Sequence, residues 1–221
     1  MSPAGRRVLL AAAVALMFAG CRKRSLAGAD LSGQNLTGQT FEGRRLTDAN
    51  LQGAVLQKVV FSDADLSRAD LREADLRGAV FDRATMASAR LDRADGRPLR
   101  LTPEEAPAQP NVTHEYIADF NQADLSQASL ADARLSGADF TRTNLSSANL
   151  AGADLSQADF SKARLRQANL TGANLREAQF YGADLLDANL MDADLTDAAY
   201  DRATIWPTGF DPRAQGAVLK P

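Results

Sequence analysis

One cysteine, one histidine and a large set of carboxylates are the groups with chemistry to offer in this 221-residue chain. Cys21 is the only thiol, so no internal disulfide can form. His114 stands beside Glu115 without a second histidine or nearby cysteine, so a solvated loop residue is expected, with no metal, cofactor or catalytic site. The acidic residues are ordered instead of clustered. Asp119, Asp139 and Asp159 recur every twenty residues, as do Asn149, Asn169 and Asn189. Most Asp and Asn residues occupy one slot of a short repeat, where their side chains can bond neighbouring backbone.

That repeat has five residues. A leucine or phenylalanine returns at Leu26, Leu31, Leu36, Phe41 and onward to Met86 and Leu91, then from Phe120 in fives to Leu195, Tyr200 and Ile205. Five steps of about 100° would scatter these residues around a helix, so a helix is excluded. The residue two before each centre is small, mostly alanine, as in Ala118, Ala123 and Ala128, through to Ala203. Two inward positions separated by one outward residue describe a short extended step. The other two residues of each cell suit a solvent-facing corner. Phe41, Phe61 and Phe81 are twenty apart, and so are Phe120, Phe140, Phe160, Phe180 and Tyr200. One aromatic in four cells makes twenty residues one lap, with coils stacked at about 4.8 Å. Gln34, Gln39 and Arg44 stand in slots that the pattern assigns to small inward residues.

The cells A-D-L-S-Q (153–157), A-N-L-A-G (148–152), A-D-L-R-G (74–78) and A-N-L-T-G (168–172) resemble the pentapeptide-repeat family. The resemblance implies an all-β fold, a right-handed quadrilateral β-helix of about eight coils interrupted by one irregular loop. Residues 26–96 form a first array, 97–117 a Pro-rich loop, 118–206 a second array, and 207–221 a cap and tail. The nineteen extra residues between the arrays return Phe120 to the aromatic wall, which favours one continuous rod over two stacked modules. F-D-R-A-T at 81–85 is echoed by Y-D-R-A-T at 200–204, which suits the rival arrangement. Trp206 and Phe210 are expected to close the far end, since Pro207 and Pro212 prevent another complete lap.

Residues 1–20 read as an export signal. Arg6 and Arg7 precede an apolar run from Val8 to Phe18 that is too short to span a bilayer. The ending F-A-G-C resembles the lipobox of bacterial lipoproteins, which implies acylation of Cys21, with residues 21–25 as a lipidated tether. An ordinary secretory signal containing a cysteine is the alternative. Arg22, where sorting signals for the inner membrane carry aspartate, points to the periplasmic face of the outer membrane. The Arg pair leaves Sec and twin-arginine export both open. Removing residues 1–20 takes away two arginines and no acid, moving the formal charge from −3 to −5. Such a balanced surface does not suit direct nucleic-acid binding.

Two functions fit. The first is a non-enzymatic scaffold in the cell envelope, bound to membrane through its lipid and to a protein partner, with a homodimer also compatible. The second, implied by the family resemblance, is a DNA-mimicking rod that modulates or protects a type II topoisomerase such as DNA gyrase. The column Asp119, Asp139 and Asp159 would serve a basic partner in either role; Arg142 and Lys162, three residues beyond Asp139 and Asp159, are the groups expected to offset it. Tyr181, Leu186 and Met191 point outward on successive walls, where the tail from Pro207 to Pro221 is expected to cover them.

Overall fold

The computed structural model describes residues 25–101 and 114–221; the segment expected to be an export signal, Cys21 and the middle of the loop lie outside them. Each cell has the same local construction. The centre residue accepts a bond from the residue three positions on, as when Ala49 N–H donates to Leu46 C=O over 3.0 Å, and the residue between them turns left-handed, Asp48 at φ 59°. That conformation suits glycine, and twelve glycines take it within the described residues, but twenty other residues adopt it as well. Each of those twenty costs roughly 1–2 kcal/mol relative to the right-handed form. The cost is borne because the corner turns both inward residues into the core.

Every fifth residue pairs in parallel with its counterpart one lap on, for example Asn50 with Asp70 and Asp70 with Arg90. Four such columns make four walls, and the eight aromatic-wall positions, seven phenylalanines and Tyr200, give eight coils. Leucines and alanines fill the interior, most with no exposed surface at all. No cell has a core of its own, so the burial of each depends on the coils above and below.

The phenylalanines form one unbroken stack from Phe41 to Phe180, with centroids 4.9–5.2 Å apart. The coils continue directly past the loop: Val80 pairs with Asp119, Thr85 with Asp124, Arg90 with Ser129 and Asp95 with Arg134. Gly96 stands where a leucine would be expected. A Cβ there would lie 2.6 Å from Leu135 Cδ2 and 3.0 Å from the Ala118 Cβ, so its neighbours already fill the space.

Three expectations are corrected. The loop is not irregular at its base: β1 (Leu99–Leu101) and β2 (His114–Tyr116) form an antiparallel ribbon with Leu99 opposite Tyr116 and Leu101 opposite His114. Lys58 Nζ, from the wall, lies 4.5 Å from the Tyr116 ring centroid and pins the ribbon's foot. The five-residue count fails after Tyr200. Asp184 pairs with Ile205, twenty-one residues on, leaving Ile205 46% exposed and Ala203 outside the core. Asp201 Oδ1 accepts N–H bonds from Ala203 and Thr204, widening this corner by one residue. Trp206 then takes the inward place. Finally, the tail leaves Met191 63% exposed: Pro207, Phe210 and Gln215 line a recess beside it without closing over it, and the chain then crosses to the opposite wall. There β4 (Val218–Leu219) pairs in parallel with β3 (Ala199–Tyr200).

The first coil keeps the regular turn and pairing pattern despite its large residues. Gln39 lies in solvent, Arg44 is partly buried, and Gln34 Oε1 is buried without a hydrogen-bond partner.

Candidate functional site

The residue before each centre faces outward, and when it is Asp or Asn its side chain closes the next corner. Asp65 Oδ1 accepts the Ser67 N–H at 3.1 Å, Asn144 Oδ1 the Ser146 N–H at 3.2 Å, and Asp154 Oδ1 the Ser156 N–H at 3.2 Å. These are turns stabilised by a side-chain acceptor, which is why the slot prefers Asp and Asn. Most carboxylates that looked available for chemistry are therefore holding corners.

Arginines occupy some of these as well as several of the rest. On the lower half of the rod Arg72, Arg77 and Arg97 each grip the aspartate of their own cell through two parallel bonds, to Asp70, Asp75 and Asp95. Vertical pairs join coils at corners: Arg68 to Asp48, Arg83 to Asp63 and Arg93 to Glu73, each at 2.7–2.8 Å. The Arg72 guanidinium holds the Asp70 carboxyl below its ordinary value against partial burial. Exposed pairs of this kind contribute little individually, and here their effect is to neutralise the surface.

The column Asp119, Asp139 and Asp159 differs. The three pair successively along one wall, above Val80 and below Gln179. Each accepts a corner N–H, from Asn121, Thr141 and Ser161, at 2.7–2.8 Å. Among the described residues no ion pair includes any of them, so Arg142 and Lys162 do not offset them by contact. Burial pushes the Asp119 carboxyl above its ordinary value, with Asp139 and Asp82 adding repulsion and the Asn121 N–H opposing the shift. The asparagine column makes one rung only: Asn169 Nδ2 donates to Asn149 Oδ1 over 3.1 Å.

At the far end Trp206 sits over Phe180 and against Tyr200 and Phe210, at 5.6, 5.5 and 5.4 Å between centroids. It thus follows Phe180 in the stack, where Tyr200 was expected. Thr204 Oγ1 donates to the Phe180 carbonyl over 2.7 Å, as Thr143 Oγ1 does to Phe120. Sequence reasoning missed Thr204, whose slot in the repeat ordinarily faces outward, and Gly96, although a glycine in a centre slot was visible as a departure from the repeat. His114 lies in the ribbon opposite Leu101. Among the described residues no group of three metal-capable side chains comes together, and no helix is long and apolar enough to cross a membrane.

A four-walled β-solenoid with a stacked aromatic column defines the class. The family model for pentapeptide repeats matches residues 25–63, 60–95, 118–157 and 158–197, and the chain belongs to the pentapeptide-repeat family of right-handed quadrilateral β-helices. Its members are generally structural or interaction proteins. Among solved structures, the chain is similar to alr5209, a pentapeptide repeat protein from Nostoc PCC 7120. That match is 44% identical over 46% of this chain and 84% of that one, with a TM-score of 0.46. HetL, involved in heterocyst differentiation regulation in Nostoc sp. strain PCC 7120, is 29% identical over 94% of this chain and 91% of that one, with a TM-score of 0.44. QnrB1, a plasmid-mediated fluoroquinolone resistance protein, is 22% identical over 86% of this chain and 77% of that one, with a TM-score of 0.45. No curated protein matches the sequence.

Proposed function

We propose that this chain is a non-enzymatic scaffold of the bacterial cell envelope, tethered by lipid on Cys21 and presenting its walls and side ribbon to a protein partner. The observation that carries the reading is the F-A-G-C sequence ending at Cys21, five residues before the first core leucine, Leu26. Two or three acyl chains on one residue suffice for stable attachment, whereas one is marginal. So short a tether holds the first coil against the headgroups, with Arg22, Lys23 and Arg24 beside anionic lipid. The non-catalytic part is supported by the many carboxylates whose oxygens are taken up by corner amides and arginines, Asp70, Asp75 and Asp95 among them. Arg22 directs the lipoprotein to the periplasmic face of the outer membrane.

The experiment is palmitate labelling and membrane fractionation of the full chain and of Cys21→Ala. The wild type takes up label and sediments with membranes, and the variant does neither. A variant that still does both would refute the anchor.

The topoisomerase reading rests on the column Asp119, Asp139 and Asp159. Three carboxylates at about 4.8 Å spacing are a short stretch beside duplex phosphates, which advance 3.4 Å per step on each strand. Inhibition of gyrase supercoiling by the chain beginning at Cys21 would favour that reading over the scaffold.

A further inference from the structure

Each coil meets the one above it through three backbone bonds per wall. Below the last coil, Leu170 N–H donates to Asn189 C=O and Gly172 N–H to Met191 C=O, while Ala168 C=O accepts the Asn189 N–H, at 2.8, 2.9 and 2.9 Å. The corresponding upper groups of the last coil are Leu190 N–H, Asp192 N–H and Ala188 C=O. Among the described residues none of them has a hydrogen-bond partner, and neither do Leu195 N–H and Ala193 C=O beyond the next corner. Two of the other walls are closed, and the third, that of Leu195, is bonded at one end only. Leu185 N–H donates to Ile205, Asp197 N–H to Gly216, and β4 covers β3. One wall therefore ends in an open parallel edge.

Beside this edge is a recess of about 440 Å³ lined by Ala188, Leu190, Met191, Pro207, Phe210 and Gln215 among others. Ala188 and Leu190 are each 7% exposed where their counterparts one coil below, Ala168 and Leu170, are fully covered. Asp187 and Asp192 stand at the two ends of the edge, and among the described residues neither is in an ion pair. An unpaired edge is a template for extended backbone, and the bonding pattern of the coils beneath specifies its direction and register.

We infer that this edge is a docking site for an extended, basic segment of a partner protein, which adds as one more parallel step on the wall. Its backbone meets Leu190 N–H, Asp192 N–H and Ala188 C=O. One apolar side chain enters the recess over Leu190, and lysine or arginine on either side reaches Asp187 and Asp192. Backbone pairing supplies attachment, and the recess and carboxylates supply selection. The inference goes beyond the scaffold reading and does not depend on it: loss of the Cys21 anchor leaves the edge intact.

The test uses the full chain in detergent micelles and a synthetic peptide copying residues 164–173, which carries an A-N-L-T-G cell and two arginines. Peptide is expected to bind saturably and to slow hydrogen exchange at the Leu190 and Asp192 amides. The double variant Asp187→Asn/Asp192→Asn, checked for an unchanged melting temperature, should bind about tenfold more weakly, a difference of about 1.4 kcal/mol. No added protection at these amides in millimolar peptide overturns the proposal. So does equal binding of a peptide with both arginines replaced by glutamate. Protection that grows with protein concentration alone would assign the edge to a second copy, and slow exchange in the free monomer would assign it to the chain's own tail. Either result also overturns the partner proposal.

Discussion

Phe81 and Phe120 lie on opposite sides of the inserted ribbon, yet their rings stack 4.9 Å apart and within 1° of parallel. The insertion has left the core undisturbed, because it enters and leaves at one corner. Excising residues 98–117 and placing a single glycine there restores the five-residue count. The shortened chain should keep one cooperative unfolding transition and lose little stability, since closure entropy varies slowly with loop length. Two separate transitions on melting would show that the ribbon couples two modules.

Trp206→Ala removes the ring that covers Phe180 and Tyr200. A cost of about 3 kcal/mol is expected, together with faster hydrogen exchange in residues 180–200. Denaturant titration measures the first and mass spectrometry the second. Fraying confined to the tail would mean that Tyr200 alone suffices as cover.

The repeat was legible because each centre residue faces the axis and shows its identity without interference from the surface. Where the count changed, the cause was local. F-D-R-A-T and Y-D-R-A-T look alike, but in the first Thr85 pairs with Asp124 as an ordinary wall residue, while in the second Asp201 folds onto Thr204 and pushes Ile205 outward. Nothing in five letters distinguishes those outcomes; the difference is that a coil follows the first and none follows the second. The ribbon was hidden for another reason, as three-residue strands are too short to show alternation between prolines. The acidic column was readable, but its lack of arginine partners depends on side-chain reach across coils.

Gln127 holds φ at 59°, and among the described residues its side chain has no hydrogen bond to justify it. Gln127→Gly should stabilise the fold by about 0.5–1 kcal/mol, the left-handed penalty less glycine's greater freedom when unfolded. A lower melting temperature would show that the glutamine stem packs on the wall.

Gly96→Ala should act in the opposite sense. Its Cβ meets Leu135 at 2.6 Å, and relieving that contact should cost about 1–3 kcal/mol. Equal stability in urea would mean that Leu135 has a second rotamer free to accept the methyl group.

Asp119 carries a pH signature. Its folded pKa is raised above the ordinary 3.8, so the folded state holds the proton more tightly than the unfolded chain. The stability this contributes is present below 3.8 and lost as pH rises through the folded value. Asp119→Asn, which keeps the acceptor for Asn121 N–H, should therefore raise the melting temperature at pH 7 and make no difference near pH 3. Asp70 has the opposite sign: its pKa is lowered, so its contribution is present above 3.8 and lost on further acidification.

The backbone bonds between coils all point along the length of the tube, so a pull between its two extremities loads them head-on, not in shear. Eight turns at about 4.8 Å give a body of about 40 Å that would yield by peeling one turn at a time under modest tension. Chain set free in this way extends by about 3.3 Å for every residue, so such a body would act as a mechanical fuse, lengthening before the connection at either extremity breaks.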